Sequence, residues 1–375
     1  MINTLTVCGT RPEAIKLAPL VNELEGRKNI HSVLCSSGQH RELLTGALEV
    51  FDLTVDYNLE LMEESQSLSG LTARAVTGIS QTIELEKPDL VLVQGDTTTA
   101  FVGALSGFYH RTTVGHVEAG LRSGDKTNPF PEEINRRLAD SLSDLLFAPT
   151  EGAKSNLLDE NFSNESIFVT GNTVIDSLIR IDNSIELGEV QPTYPLDVTR
   201  FEGNEKKLLL VTAHRRESQG GGITRIARAI SRIIERFPEL EVVFPVHLNP
   251  KVQKAVQKIL QDRERINLLE PVDYLTFVGL MRLADLIITD SGGIQEEAPS
   301  LGVPVLVARD KTERPEAIEA GTAILVGTDI ERIVSEASKL LTDRASYEKM
   351  AKKTNPFGQG DASERIVDEI LKNFS

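Results

Sequence analysis

Residues 90–97 read LVLVQGDT, an apolar run followed by a glycine and an acidic residue. The next apolar run, residues 113–116 (TVGH), comes after a stretch long enough for an amphipathic helix. Parallel strands need a crossover connection of this kind, which is usually a helix. The stretch therefore predicts a parallel βαβ unit, with Asp96 in the turn at the carboxyl end of a strand.

The same alternation continues on both sides of this stretch. It predicts strands at residues 5–8, 33–35, 90–93, 113–116, 145–148 and 167–169 in the first half, and at 208–211, 242–245, 267–269, 286–288, 305–307 and 324–326 in the second. Strands that alternate with helices are typical of doubly wound α/β sheets. We expect an α/β fold with two Rossmann-like, doubly wound parallel-sheet domains.

The length of 375 residues exceeds what one hydrophobic core usually supports. A polar stretch with Pro192, Pro195 and Gly203 interrupts the alternation. We predict an N-terminal domain at 1–182, a linker at 183–206, a C-terminal domain at 207–357 and a C-terminal helix at 358–375 that packs back on the first domain. Open parallel sheets bind ligands at the carboxyl ends of their strands, so the two domains should face a central cleft.

Composition narrows the function classes. The chain has 40 basic and 56 acidic side chains, a net charge of -16, which opposes binding to nucleic acid or to an anionic membrane. No apolar run is long enough to cross a bilayer, and the first residues lack a basic region and a cleavage site, so the cytoplasm is the expected compartment. Cys8 and Cys35 fall in predicted strands, and no disulfide framework is implied.

Residues 9–16 (GTRPEAIK) form a glycine turn that leads into a helix. The first turns of this helix carry Arg11 and Lys16, which together with backbone N–H groups would suit a diphosphate. The alternative is a solvated basic helix start.

Three acidic residues are candidates for proton transfer. Asp96 and Glu118 follow neighbouring predicted strands, whereas Glu132 comes just after Pro131 at a predicted helix start. Asp96 could instead be only an N-cap for the helix near residue 98. Carboxylates that converge would repel each other and raise at least one pKa, as acid–base catalysis requires. For Glu133 we expect a structural role.

Two histidines follow strands of the second half. His214 stands beside Arg215 and Arg216, which favours contact with a phosphate or a leaving group. His247 has no such basic neighbours, so a binding role and a structural role stay open.

Residues 289–298 (TDSGGIQEEA) place two glycines before a predicted helix. Gly292 and Gly293 would admit a phosphate, and Glu297 could accept hydrogen bonds from both hydroxyls of a ribose. The spacing matches neither a dinucleotide-binding nor a P-loop motif, which argues against NAD and ATP. Residues 309–316 carry further cationic side chains that could contact the ligand. Half of the charges in this segment could instead simply be exposed to solvent. No metal-binding spacing occurs, so we expect neither a cofactor nor a metal.

Taken together, five segments resemble the bacterial non-hydrolysing UDP-N-acetylglucosamine 2-epimerase family. They are residues 9–13 (GTRPE), 94–97 (QGDT), 116–122 (HVEAGLR), 214–217 (HRRE) and 290–297 (DSGGIQEE). The resemblance extends over almost the whole chain. It implies a fold similar to the GT-B glycosyltransferases, with UDP in the interdomain cleft, and a homodimer that interconverts UDP-GlcNAc and UDP-ManNAc.

The resemblance also implies roles for individual residues. Asp96, Glu118, Glu132 and His214 match catalytic positions. The positions that contact the nucleotide sugar would be Arg11, Lys16, Asp96, Glu118, His214, Phe277, Ser291, Gly292, Gly293, Glu297 and Arg314.

Some members of this family are activated by UDP-GlcNAc at a second site. The positions that match it are Gln39, Arg74, Arg215 and His247. Glu42 stands where those relatives carry glutamine, and Ser218 where they carry asparagine. Two other functions remain open at this point: a hydrolysing epimerase or another GT-B enzyme, and a non-catalytic sensor of UDP-sugars.

Overall fold

A computed structural model describes residues 1–375 except 39–49, 63–66, 204 and 215–220. The chain divides into two compact units. The first unit consists of residues 1–177 and 357–375, and the second of residues 178–356. The stretch 183–206, which we expected to be a linker, belongs to the second unit.

Each unit contains one parallel sheet. The strands of the first unit are β1 (Ile2–Cys8), β2 (Ile30–Ser36), β3 (Tyr57–Asn58), β4 (Leu90–Gln94), β5 (Thr113–Val117), β6 (Leu145–Ala148) and β7 (Ile167–Val169). Those of the second are β8 (Lys207–Thr212), β9 (Leu240–Pro245), β10 (Ile266–Leu269), β11 (Leu286–Thr289), β12 (Val305–Val307) and β13 (Ala323–Leu325). The predicted class, two doubly wound parallel-sheet α/β domains, is confirmed.

Helices connect the strands. They are α1 (Arg11–Gly26), α2 (Leu68–Glu86), α3 (Thr98–Tyr109), α4 (Glu132–Leu142), α5 (Glu151–Asp159), α6 (Thr173–Glu186), α7 (Thr199–Glu202), α8 (Gly222–Arg236), α9 (Pro250–Leu260), α10 (Tyr274–Leu283), α11 (Gly292–Glu297), α12 (Pro315–Ala320), α13 (Ile330–Thr342), α14 (Arg344–Ala351) and α15 (Ala362–Asn373). Among the described helices, none combines the length and the hydropathy that crossing a bilayer requires.

The order of the strands reverses once in each sheet. Over the described residues it is β3-β2-β1-β4-β5-β6-β7 in the first unit and β10-β9-β8-β11-β12-β13 in the second. The chain therefore switches direction between β1 and β4, and between β8 and β11. Loops diverge at such a point and leave a crevice at the carboxyl ends of the strands, which is where these folds bind ligands.

The helices pack on the sheets through apolar faces. In α8, Ile223, Ile226, Ile230 and Ile233 recur every three or four residues and are all buried. That spacing places them on one side of a helix, and burying each side chain contributes about 2 kcal/mol relative to leaving it in water. They join the core of the second unit.

The C-terminal helix α15 is part of the first unit and packs against α1. Its first turn is held by the buried carboxylate of Asp176 in α6. This carboxylate accepts hydrogen bonds from Ser363 N at 2.7 Å and Ala362 N at 3.3 Å. Backbone N–H groups in a first helical turn have no partner within the helix, so this carboxylate stabilises the start of α15.

Candidate active site

The turn after β1 is held by the buried carboxylate of Glu13. Its Oε2 accepts hydrogen bonds from Thr10 N at 2.7 Å and Thr10 Oγ1 at 2.6 Å, and its Oε1 accepts one from Thr97 Oγ1 at 2.7 Å. Burial raises the pKa of Glu13 to about 7, against the lowering effect of these donors. Since Thr97 follows Asp96 in sequence, one carboxyl group joins the turn that carries Arg11 to the turn after β4.

Asp96 is held by contacts of its side chain, of its own carbonyl group and of the carbonyl group of the preceding residue. Its carboxylate forms an ion pair with Arg136, and its carbonyl accepts a hydrogen bond from Asn135 Nδ2 at 3.0 Å. The preceding carbonyl, that of Gly95, lies 2.8 Å from His116 Nε2. These contacts fix the direction of the carboxylate at the switch point of the sheet.

The N-cap of α3 is Thr97, whose Oγ1 accepts a hydrogen bond from Ala100 N at 3.1 Å. The interpretation of Asp96 as only a helix cap is therefore wrong. Its carboxylate is directed to Arg136 instead.

Glu132 is the first residue of α4 and is half-buried. This helix lies beside Asp96, because it also carries Arg136. The next residue, Glu133, is 1% exposed and accepts hydrogen bonds from Ser123 N at 3.0 Å and from Arg136 Nη1 at 3.1 Å. These contacts agree with the structural role expected for Glu133, since its carboxylate joins the segment before α4 to the guanidinium that orients Asp96.

Glu118 follows β5 and lies in the left-handed region of backbone conformation, with a φ of 71°. This conformation costs a non-glycine residue about 1–2 kcal/mol, so the surrounding contacts must hold Glu118 in place. The Glu118 carboxylate forms an ion pair with Lys16 of α1 and accepts a hydrogen bond from Asn172 Nδ2 at 3.0 Å. The structure thus brings together two of the predicted residues, one from helix α1 and one from the turn after β5.

In the second unit, His214 follows β8 and Asp290 follows the neighbouring strand β11. Both carboxylate oxygens of Asp290 accept a hydrogen bond from His214 N, at 3.1 and 2.9 Å, and Oδ1 lies 3.3 Å from Nδ1 of the imidazole. The ring of His247, after β9, stacks on that of His214 with the centroids 5.4 Å apart. Arg215 lies outside the described residues.

The candidate nucleotide-binding residues surround α11. Ser291 is the N-cap of this helix, Gly292 is its buried first residue, and Gly293 follows. Glu297, near its end, is 6% exposed and accepts a hydrogen bond from Tyr274 Oη at 2.5 Å. The carboxylate of a residue that could bind a ribose is therefore oriented by a buried tyrosine.

Two further candidates lie close to these residues in the fold of the second unit. Phe277 is half-buried and comes three positions after Tyr274 in α10, on the same side of that helix. Arg314 is also half-buried and forms an ion pair with Glu296, the neighbour of Glu297 in α11. The Arg314 guanidinium is thereby directed towards α11.

The stretch 183–206 also contacts α10. Thr276 Oγ1 donates a hydrogen bond to Thr193 O at 3.3 Å, and a Cβ atom at Gly279 would lie 2.4 Å from Tyr194 Oη. The stretch therefore packs on the helix that carries Phe277.

The residues that match a second, activating site are only partly described. Gln39 and Arg215 lie outside the described residues. Arg74, in α2, donates hydrogen bonds to Leu61 O at 3.3 and 3.1 Å, beside an open surface groove of about 440 Å³. His247 contacts His214, so one of these positions adjoins a candidate catalytic residue of its own unit.

Sequence reasoning did not identify four residues that hold the candidates in place, namely Asn172, Arg136, Tyr274 and Asp290. Some signals were available. Asn172 follows the end of a strand, as the candidates do, and Arg136 lies three residues after Glu133 on the same side of a helix. For Tyr274, its position one turn before Phe277 was the only indication. Among the described residues, no group of three or more His, Cys, Asp or Glu side chains could hold a metal ion.

Comparison with known proteins gives one consistent family. A family model described as UDP-N-acetylglucosamine 2-epimerase matches residues 22–371. The UDP-N-acetylglucosamine 2-epimerase of Yersinia pestis is 50% identical over an alignment of 377 positions that covers 99% of this chain and 99% of that protein.

Solved structures agree with this assignment. The UDP-GlcNAc 2-epimerase from Neisseria meningitidis bound to UDP-GlcNAc has a TM-score of 0.91 at 45% identity and covers 99% of this chain and 100% of its own. The enzyme of Methanocaldococcus jannaschii, in complex with UDP-GlcNAc and UDP, has a TM-score of 0.80 at 37% identity, with 99% and 100% covered. The chain therefore belongs to the UDP-N-acetylglucosamine 2-epimerase family.

Proposed function

We propose that the protein interconverts UDP-GlcNAc and UDP-ManNAc, and that both the substrate and the released product carry the sugar linked to UDP. The proposal rests on relatives that are named for this activity. They are about 50% identical to this chain and align with almost its whole length. The acids and cations at the switch point of each sheet supply chemistry that suits the reaction. The cytoplasm remains the expected compartment.

The chemistry of the substrate favours elimination over direct proton removal. The C2 proton is not next to a carbonyl group, so a carbanion at C2 would be too costly at neutral pH. In elimination, a carboxylate takes the C2 proton while the C1–O bond to UDP breaks, and the electron pair of the C–H bond forms the C1–C2 double bond of a glycal. UDP then adds back to C1 as C2 receives a proton on the opposite face.

The proton transfers at C2 need two acids on opposite faces of the sugar. We assign these two roles among Asp96, Glu118 and Glu132. We assign Arg11 and His214 to the departing diphosphate, since a cation or an N–H donor stabilises the charge that develops there. Lys16 would orient Glu118, to which it is ion-paired. In the second unit, Ser291, Gly292 and Gly293 would bind the diphosphate.

The remaining candidates would recognise the nucleoside. Glu297 would accept hydrogen bonds from the ribose hydroxyls, with its carboxylate held by Tyr274. The half-buried ring of Phe277 would pack against the base, and Arg314 would add a cation near the nucleotide. No cofactor enters this scheme.

An NMR time course with UDP-GlcNAc in D2O tests the proposal. We expect UDP-ManNAc to appear with deuterium at C2, because the proton removed exchanges with solvent before the second face is protonated. A product without deuterium at C2 would refute the elimination route. Release of free ManNAc and UDP would instead show a hydrolysing enzyme, and binding of UDP-GlcNAc in calorimetry without any product would show a sensor.

We also propose a homodimer. Large apolar side chains are exposed on the adjacent helices α3 and α4, including Phe108 (58% exposed), Tyr109 (64%) and Leu138 (41%). An exposed apolar patch of this kind is typical of a surface that another protein covers. In sedimentation at micromolar concentration we expect twice the mass of one chain, and Phe108→Glu should shift the mass towards that of a monomer. A monomeric wild-type protein would contradict the proposal.

A further inference from the structure

Asp290 is placed against His214 by the pairing of two strands. In the register of β8 and β11, Thr212 lies opposite Thr289, and their hydroxyl groups are 2.6 Å apart. The backbone N–H of Asp290 donates to Thr212 O at 3.2 Å. The side chain of Asp290 is 0% exposed, so its carboxylate is held within the sheet next to the residue that follows β8.

This single carboxylate contacts both the backbone and the ring of His214. Its two oxygens accept the hydrogen bond from His214 N, and Oδ1 is 3.3 Å from Nδ1. A carboxylate can only accept, so its position beside Nδ1 favours a proton on that nitrogen. Nε2 lies on the opposite edge of the imidazole, away from the Asp290 carboxylate.

His247 restricts the imidazole of His214 from a second direction. The two rings are nearly parallel, with an angle of 10° between their planes. His247 Nδ1 accepts a hydrogen bond from Asn249 N at 3.0 Å, which leaves the proton of a neutral His247 on Nε2. Partial burial and the neighbouring His214 lower the pKa of His247, which disfavours a second positive charge beside His214.

We propose that Asp290 is a positioning residue for His214: it accepts from Nδ1–H and holds the ring in one orientation, so that the doubly protonated imidazole directs its Nε2–H towards the diphosphate of the substrate. The proposal rests on the proposed function for the identity of the ligand. In histidine–carboxylate pairs of enzymes, the carboxylate selects the tautomer and the orientation of the ring in this way.

The decisive variant is Asp290→Asn. The asparagine oxygen can still accept from His214 N, so the turn can keep its shape. The amide NH2 group, however, donates where the carboxylate accepted, so Nδ1 would lose its proton and the ring could no longer be doubly protonated. We expect kcat to fall about a hundredfold or more, because the ring then offers the departing diphosphate no positive charge.

Asp285 offers a matched control, since it lies at the other end of the same strand. Its Oδ2 accepts a hydrogen bond from Leu208 N at 2.8 Å, so it also joins β11 to β8 through a carboxylate. Asp285→Asn makes the same chemical change away from His214. We expect it to leave kcat close to that of the wild type.

Long-range 1H–15N spectra of the histidine-labelled full chain measure the proposed effect directly, with the His214 signals assigned by their loss in His214→Gln. We expect protonated Nδ1 in the wild type and unprotonated Nδ1 in Asp290→Asn. An unprotonated Nδ1 in the wild type would overturn the proposal, even if Asp290→Asn failed to fold. Equal losses of kcat in the two aspartate variants would also overturn it.

The same spectra separate this proposal from the proposed function. Absence of UDP-ManNAc with the wild type contradicts the proposed function, whereas the protonation of His214 is measured without turnover.

Discussion

Replacing Glu118 with glutamine is expected to lower kcat about a hundredfold or more. A glutamine cannot take up or release the C2 proton, but its side-chain oxygen can still accept hydrogen bonds from Lys16 and from Asn172, which contact the carboxylate in the structure. The change therefore removes the chemistry while the contacts that hold the turn remain possible. The rates of epimerisation and of deuterium incorporation at C2 measure the effect.

Glu160→Gln is the control for this variant. Glu160 belongs to the same unit and is also ion-paired, with hydrogen bonds from Arg122 at 2.9 and 2.8 Å. If only the loss of an ion pair mattered, both variants would lose similar activity. We expect Glu160→Gln to turn over close to the wild-type rate. Unchanged turnover in Glu118→Gln would assign Glu118 to a structural role.

Gly120→Ala is expected to lower the free energy of unfolding of the first unit by about 3 kcal/mol or more. Gly120 has a φ of 85°, and an added Cβ would lie 2.3 Å from Ala153 O. That oxygen belongs to the backbone of α5, so it cannot move aside as a flexible side chain could. The variant combines backbone strain with a clash, and urea denaturation of the purified protein measures the loss.

Gly124→Ala separates the clash from the strain. Gly124 has a similar φ of 76°, but an added Cβ would have no atom within 4 Å. We expect this variant to lose only about 1 kcal/mol, the cost of the left-handed conformation for alanine. Equal losses of unfolding free energy in the two variants would show that the clash with Ala153 does not contribute to the effect of Gly120→Ala.

The periodicity of the sequence was sufficient to predict the fold class. All twelve predicted strands occur, because a buried parallel strand is an apolar run and each run is separated from the next by a crossover. The pattern missed β3, Tyr57–Asn58, which is only two residues long at the edge of its sheet and is not fully buried. Such a short edge strand has no apolar run by which a sequence could reveal it.

For the candidate site, the sequence indicated the positions but not their partners. It left two interpretations of Asp96 open, a helix cap or an acid directed to a ligand. The structure excludes the first interpretation, because Thr97 caps α3, and it shows the Asp96 carboxylate paired with Arg136. It also shows a carboxyl group with a raised pKa at Glu13, which the sequence had not singled out.

The sequence by itself determined which side chains follow strands, and therefore which ones lie at the ligand-binding edge of a parallel sheet. Only the tertiary structure decided which charge meets which: Lys16 and Glu118 are 102 residues apart in the chain, and His214 and Asp290 are 76 apart. The physical reason is that hydrophobic periodicity reflects the burial of a residue in its own helix or strand. The partner of a polar group depends instead on the order and register in which distant strands pair.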